Sequence, residues 1–424
     1  MKSPLSPTRQ FFLTNFWFAY NFHWSALLVV VVQSQVYLLA PEALRGRALG
    51  LVLGGGAILS MLAQPFFGGL SDHSHSRWGR RRPQMTLGIV INLVALYGLF
   101  SAAAHGRFIE YVAWYFLLII ANNAMGSAYT ALVPDLVNED QRGAVSSWIG
   151  FMSVLGTIAA ARAANRFMGS DQPHVMMWVI VGVVGIFFLM TVFGLKEPPA
   201  PPARPFHLKE MFSSFRFDFR AHPSFGWLCL SRMSILFTFY TVMFFLEYFL
   251  RDVVHVANPE RSTGLLLEIA SWAALGSAVL AGFLSDRVGR RAIVYFAGTL
   301  MAVAALMFAA QHSEIAIRWA AVVFGFGYGA FAAVDWAMVT DVLPGADSYA
   351  KDMGIWTVST IVPQIVSTLL GGWIIDHFNA RVPELGYRIL HAIVMVVLIS
   401  GVLIIGKARG LRPWQWTKAG KTQE

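Results

Sequence analysis

The chain has 424 residues, of which 56% are hydrophobic and only 13% charged, with a formal net charge of +9. Soluble domains carry roughly 25% charged residues, so this composition excludes a soluble core and makes lipid the solvent. The single cysteine, Cys229, excludes an intrachain disulfide.

A membrane-crossing helix needs about 20 mostly apolar residues. Twelve stretches meet that need: 13–39, 48–70, 84–104, 109–134, 144–168, 174–195, 224–250, 263–284, 292–310, 315–343, 353–376 and 388–407. The first is too long for a signal-peptide core and reads as a true span. Twelve spans put both termini on one side of the membrane. Most Lys and Arg fall on that side, which makes it the cytoplasm. The expected protein is an all-α, multi-pass component of a bacterial inner membrane. The positive charge then faces anionic lipid rather than nucleic acid.

The middle of the chain differs in kind. KEPPAPPARP (196–205) is a proline-rich linker, and HLKEMFSSFRFDFRAHP (207–223) reads as a helix lying on the membrane surface. The expected organisation is a six-helix half over 1–195, a linker over 196–223, a second six-helix half over 224–407 and a cytoplasmic tail over 408–424.

The halves repeat. GGLSDHSHSRWGRRRP (68–83) follows the second span, and GFLSDRVGRR (282–291) follows the eighth. The fourth span ends in TALVPDLV with Asp135, and the tenth ends in AMVTDVLP with Asp341. Duplicated six-helix units mark secondary transporters. Two readings of the repeated loop stand. Its arginines are topology anchors, or the loop is a gate. In the gate reading, Asp72, Arg77, Gly79, Arg80 and Arg81, their counterparts Asp286, Gly289, Arg290 and Arg291, and the neighbouring Asp135, Arg142 and Asp341 form contacts between the halves. These contacts would hold on the inner side in one state and part in the other.

Ionisable groups inside a membrane cost about 2.5–3.5 kcal/mol and are functional candidates. By depth, Arg232 in span seven and Asp335 in span ten should share a network in the inner third. Glu247 in span seven, Glu268 in span eight and Arg162 in span five sit in the outer third. An Arg162–Glu268 contact is expected, and Glu247 either joins a site or reaches water beside Arg251 and Asp252. Polar groups suited to a small hydroxylated solute are Asn21 and His23 in span one, Asn122 and Asn123 in span four, and Gln364 in span eleven. Trp24, Tyr129 and Trp336 could offer aromatic faces, although most aromatics in such a chain serve packing or interface belts.

The repeated G-x-L-S-D…G-R-R pattern resembles the loop signature of the major facilitator superfamily. The longer SDHSHSRWGRRRP resembles its variant in glycoside–pentoside–hexuronide:cation symporters and sucrose–proton symporters. ANNAMGSAYTALVPDL in span four and VPQIVS (362–367) in span eleven resemble segments of the sucrose carriers. The resemblance implies two pseudo-symmetric six-helix halves, cavity-lining spans one, four, seven and ten, alternating access and a gating role for the loop. It implies a monomer that moves a sugar with a proton. No cofactor is expected, and the run Asp72–His73–Ser74–His75 is not expected to hold a metal, because the four arginines beside it would repel a cation. Two departures stand out. The sodium-coupled members' aspartates in span two have no counterpart before Asp72. The sucrose carriers' proton-binding Asp and their Arg fall on Ile119 and Thr130. If a proton is coupled, Asp335, Glu247 and Glu268 are the replacements. The competing readings are a carrier of another solute, such as an amphipathic lipid, drug or metabolite, and a non-transporting membrane scaffold. No motif points to an enzyme.

Overall fold

The structure is a computed structural model that describes residues 4–72, 74, 76, 78–168, 173–195, 197, 219, 222–310, 313–342 and 349–408. Within these, side chains are described except at 139, 173, 286, 310, 340 and 349–354. Arg77, the side chain of Asp286, nearly all of the expected surface helix and the tail beyond 408 therefore lie outside the described residues.

Among the described residues the architecture is all-helical, with 12 helices long and apolar enough to cross a membrane. They are α1 (Pro7–Leu39), α2 (Glu42–Asp72), α3 (Arg82–Ala104), α4 (Phe108–Leu136), α5 (Arg142–Phe167) and α6 (His174–Gly194). The second half holds α7 (Pro223–Asp252), α8 (Pro259–Ser285), α9 (Arg290–Ala309), α10 (Glu314–Val339), α11 (Ile355–Asn379) and α12 (Leu385–Lys407). Proline opens α1, α7 and α8, where a missing N–H costs nothing. Asn258 adds a cap to α8 by accepting the N–H of Arg261 at 3.0 Å. Within α1, residues Leu27–Val31 form a π-helical turn, a feature that clusters at functional sites.

The chain forms two compact units. The first comprises Met1–Phe212, Met243–Glu268 and Thr368–Gly386; the second comprises Ser213–Val242, Ile269–Ser367 and Tyr387–Glu424. These units and the two sequence halves are different divisions. The first unit takes in one end of α7, α8 and α11, the end that also holds the α1–α2 connection. Following the orientation expected from the charges, we call that end outer.

Small residues explain this. Gly46, Gly50 and Gly54 form a stripe on α2 at four-residue spacing, against Thr368, Gly372 and Asp376 of α11. A Cβ on Gly50 would lie 2.4 Å from the Thr368 carbonyl oxygen, and one on Gly372 only 2.0 Å from that of Gly46. Likewise, a Cβ on Gly264 of α8 would lie 2.6 Å from the Asn165 nitrogen of α5. Lipid gives helices no hydrophobic reason to associate, so close backbone approach through small residues supplies the attraction.

Candidate functional site

Four groups of polar residues stand out; the first three each lie inside one compact unit, and the fourth has one copy in each. The first lies on α1 and α4. Trp17, Tyr20 and Trp24 follow one face of α1, with ring centroids 5.7 and 6.4 Å apart in edge-to-face contact. Asn122 donates to the Tyr20 hydroxyl at 3.3 Å, while its own carbonyl oxygen, buried, meets no donor among the described residues. Both ring nitrogens of the buried His23 also lack a partner there. Asn123 is committed to Ser60 of α2 and to the Ile119 carbonyl, both at 2.9 Å. Asn21 donates along its own helix to Trp17 O at 2.9 Å. Tyr129 is 1% exposed and donates to the Leu13 carbonyl at 2.6 Å. It ties α4 to α1 and offers no open ring face.

The second group lies in the second unit. Arg232 Nε donates to both oxygens of Asp335, at 2.9 and 3.0 Å. Its Nη1 reaches Trp356 O at 2.8 Å, Ser359 Oγ at 2.6 Å and Thr360 Oγ1 at 2.7 Å. The guanidinium also sits 4.0 Å from the centre of the Trp356 ring. One turn of α11 thus clamps a guanidinium on α7 that faces one carboxylate of α10. The ring of Trp336, next to Asp335, is 57% exposed. Gln364 lies a turn further along α11; its backbone carbonyl accepts from the Ser367 hydroxyl at 3.0 Å.

The third group is at the outer end of the first unit. Gln33 of α1 donates to Met243 O at 2.9 Å and accepts the N–H of Glu247 at 3.3 Å. Ser34 donates to Glu260 at 3.1 Å, and Tyr37 to Asp252 at 2.7 Å. Arg162 of α5 pairs with Glu268 of α8 at 2.9 Å. Asp376 of α11 accepts the backbone N–H groups of Gly46 and Arg47 at 2.8 and 2.7 Å. A carboxylate there satisfies amides that have no partner within their own helix and meets the positive end of the α2 dipole. In each of these side-chain pairs the carboxylate belongs to the second sequence half and the donor to the first. Glu247 is 0% exposed, which removes the alternative that it reaches water. Sequence reasoning missed Asp376 and Glu260. The matched four-residue spacings on α2 and α11 were the available signal.

The fourth group is the repeated loop. Arg81 bonds Asp72 at 2.7 Å, Asp135 at 2.8 Å and the Ser71 hydroxyl at 2.9 Å. Arg80 adds a bond to Asp72 at 2.8 Å. In the second half, Arg290 lies 2.9 Å from Asp341, and Arg291 donates to the Ala408 carbonyl. The loop therefore ties α2, α3 and α4 to one another within the first half, and the ends of α9 and α10 within the second. These bonds lie inside each half, whereas the sequence led us to expect a bond between halves. Glu197 was also missed: it caps α3 by accepting the N–H groups of Arg81 and Arg82 at 2.8 and 3.1 Å. Gly79 and Gly289 occupy the same repeat position and both have positive φ, 111° and 85°. The repeated glycine is thus a backbone requirement. Arg142 begins α5.

Twelve helices long and apolar enough to cross a membrane, with a duplicated loop, are the architecture of the major facilitator type. The family profile described as "MFS/sugar transport protein" matches residues 18–346, and the chain belongs to that family. The "MFS-type efflux pump LUC4" of Fusarium sp is 25% identical over 296 residues, covering 65% of this chain and 49% of the pump. The "Sucrose transport protein SUC3" of Arabidopsis thaliana is 25% identical over 191 residues, 37% of this chain and 32% of the carrier. The matched stretches thus span about half and about a third of those relatives. A crystal structure of a D-xylose-proton symporter has a TM-score of 0.70 at 12% identity, covering 96% of this chain and 98% of that one. That is a likeness of fold.

Proposed function

We propose that this chain moves a sugar or glycoside by alternating access, in symport with a proton, as a monomer in a bacterial inner membrane. The observation that carries the reading is the α1–α4 face. Asn122 presents a buried carbonyl oxygen with no donor among the described residues, beside the rings of Tyr20 and Trp24. A sugar hydroxyl is a donor of the right kind, and a pyranose ring presents C–H groups to an aromatic face. A buried acceptor left without a donor costs about 1–3 kcal/mol, so a solute supplying one binds preferentially.

The sucrose carrier among the relatives supports the same reading. Arg232 and Asp335 supply a second polar contact for the solute or a titrating pair. The two sequence halves act as the moving bodies, and the repeated loop keeps each half rigid at its inner end. The efflux pump among the relatives favours the other reading, export of an amphipathic solute by the same aromatic face.

The test is uptake of labelled sucrose and maltose into proteoliposomes, with and without an inward proton gradient. Gradient-driven accumulation of either is the expected result. Absence of uptake, with gradient-driven export of an amphipathic dye, would replace this reading by the efflux reading. Asp335→Asn should abolish accumulation and preserve exchange at equal concentrations; unchanged accumulation removes Asp335 from coupling.

A further inference from the structure

The outer network contains a charge imbalance. Arg251 Nη2 lies 2.5 Å from Glu260 and 3.3 Å from Glu247, so one guanidinium serves two carboxylates and favours Glu260. Ser34 gives Glu260 a further donor. Glu247 receives nothing else: its Oε2 is buried and meets no donor among the described residues. The other charged and titratable groups around it are accounted for. On its own helix, Asp252 takes the Tyr37 hydroxyl, and Tyr248 faces the Arg45 carbonyl of α2 at 3.5 Å. From α1, Tyr37 lies under the guanidinium groups of Arg45 and Arg251, 3.9 and 4.3 Å from its ring centre, and Gln33 holds the Glu247 backbone N–H. From α11, Asp376 is taken up by the amides that open α2. Glu247 shares its cation with Glu260 and keeps one buried oxygen without a donor among the described residues.

We infer that Glu247 is a proton-binding site whose occupancy allows the outer ends of α1, α7 and α8 to come together. A buried carboxylate with one long hydrogen bond and half a counter-charge is poorly solvated. An O–H bond formed at Oε2, with the proton taken from a hydronium ion in the external water, removes the excess charge. Parting of the outer ends would hydrate the cluster and let the carboxylate ionise. The closed arrangement thus binds the proton more tightly than the parted one. By linkage, closure is favoured at low external pH and lost as pH rises, by up to about tenfold per pH unit. This deepens the proton-coupled reading above and rests on it for its role in transport.

The test reads the proton and the conformation rather than the sugar. Infrared spectra of the purified full chain between about pH 5 and 8 should contain a protonated-carboxyl band that Glu247→Gln removes. Glu260→Gln should weaken that band, because Arg251 then becomes the partner of Glu247 alone. In the Cys229→Ser background, a Val36→Cys variant in vesicles should react faster with a membrane-impermeant maleimide as external pH rises. Adding Glu247→Gln should hold that reaction slow at every pH. Absence of a Glu247-dependent band overturns the proposal, as does a labelling profile that Glu247→Gln leaves unchanged. Sugar uptake failing while the band is present overturns the solute reading alone, and gradient-driven uptake without the band overturns this one alone.

Discussion

Two buried acid–arginine clusters in this chain look alike in sequence and differ in arithmetic. Around Arg232, one guanidinium faces one carboxylate and its Nη1 has three further oxygens within 2.8 Å. Around Arg251, one guanidinium is divided between two carboxylates, and one carboxylate oxygen has no donor among the described residues. A balanced pair resists change, because removing either partner strands a buried charge. An unbalanced pair gains from one more positive charge, and a proton is the smallest available. The difference teaches that a proton reaches the two pairs on different terms: at Asp335 it must displace an arginine, and at Glu247 it meets an oxygen with no donor among the described residues.

The largest expected effect breaks the balanced cluster. Arg232→Ala leaves Asp335 without a donor and vacates the clamp on α11, at a cost of about 3–5 kcal/mol. Thermal unfolding in detergent should fall accordingly, and transport should be lost. Glu247→Gln in the unbalanced cluster should leave unfolding unchanged or raise it, since it removes the uncompensated charge. Equal losses from the two substitutions would erase the distinction between the clusters.

A middle-sized effect tests whether the outer cluster depends on the helix contact beside it. Gly50→Leu pushes side-chain atoms into the Thr368 backbone, where even a Cβ would lie at 2.4 Å. Overpacking of this kind costs about 1–3 kcal/mol, charged mainly to the conformation in which α2 and α11 touch. The rate of maleimide labelling at Val36→Cys should rise at every pH. Asp376→Ala should act in the same direction by about 1–3 kcal/mol, since it strands two amides at the head of α2. No change in labelling from either substitution would show that the outer cluster holds without that contact.

Most of the fold was legible in the sequence because lipid imposes a simple rule: 20 or so apolar residues per crossing. The twelve spans followed from that rule, and placing residues along the spans brought out the pairs Arg232–Asp335 and Arg162–Glu268. Bonding within the groups was less legible. Asp376 went unnoticed because its partners are a pair of backbone amides, which carry no side-chain signal. Glu197 was hidden in the same way, within a proline-rich segment that reads as a linker. Tyr129 and Asn123 were chosen by residue type, yet the Tyr129 hydroxyl and the Asn123 amide nitrogen are taken up by bonds to backbone and to neighbouring helices. Helical periodicity places a residue on a span but leaves open which neighbour takes its last hydrogen bond.

The smallest expected effect compares the two copies of the repeated loop. Gly79 and Gly289 both hold the left-handed backbone conformation, which costs a residue with a side chain about 1–2 kcal/mol. Gly289→Ala should therefore lower stability by about that amount. Gly79→Ala should cost more, because its Cβ would also lie 2.6 Å from the Glu197 carboxylate and would displace the cap of α3. The difference between the two substitutions measures what Glu197 adds to the first copy alone. Combining Gly79→Ala with Glu197→Ala should reduce the cost of the glycine substitution to that of Gly289→Ala, because the clash and the cap are removed together. If the cost at Gly79 stays higher without Glu197, the asymmetry between the loops lies in the Arg81–Asp72–Asp135 cluster, which the described residues show only in the first half.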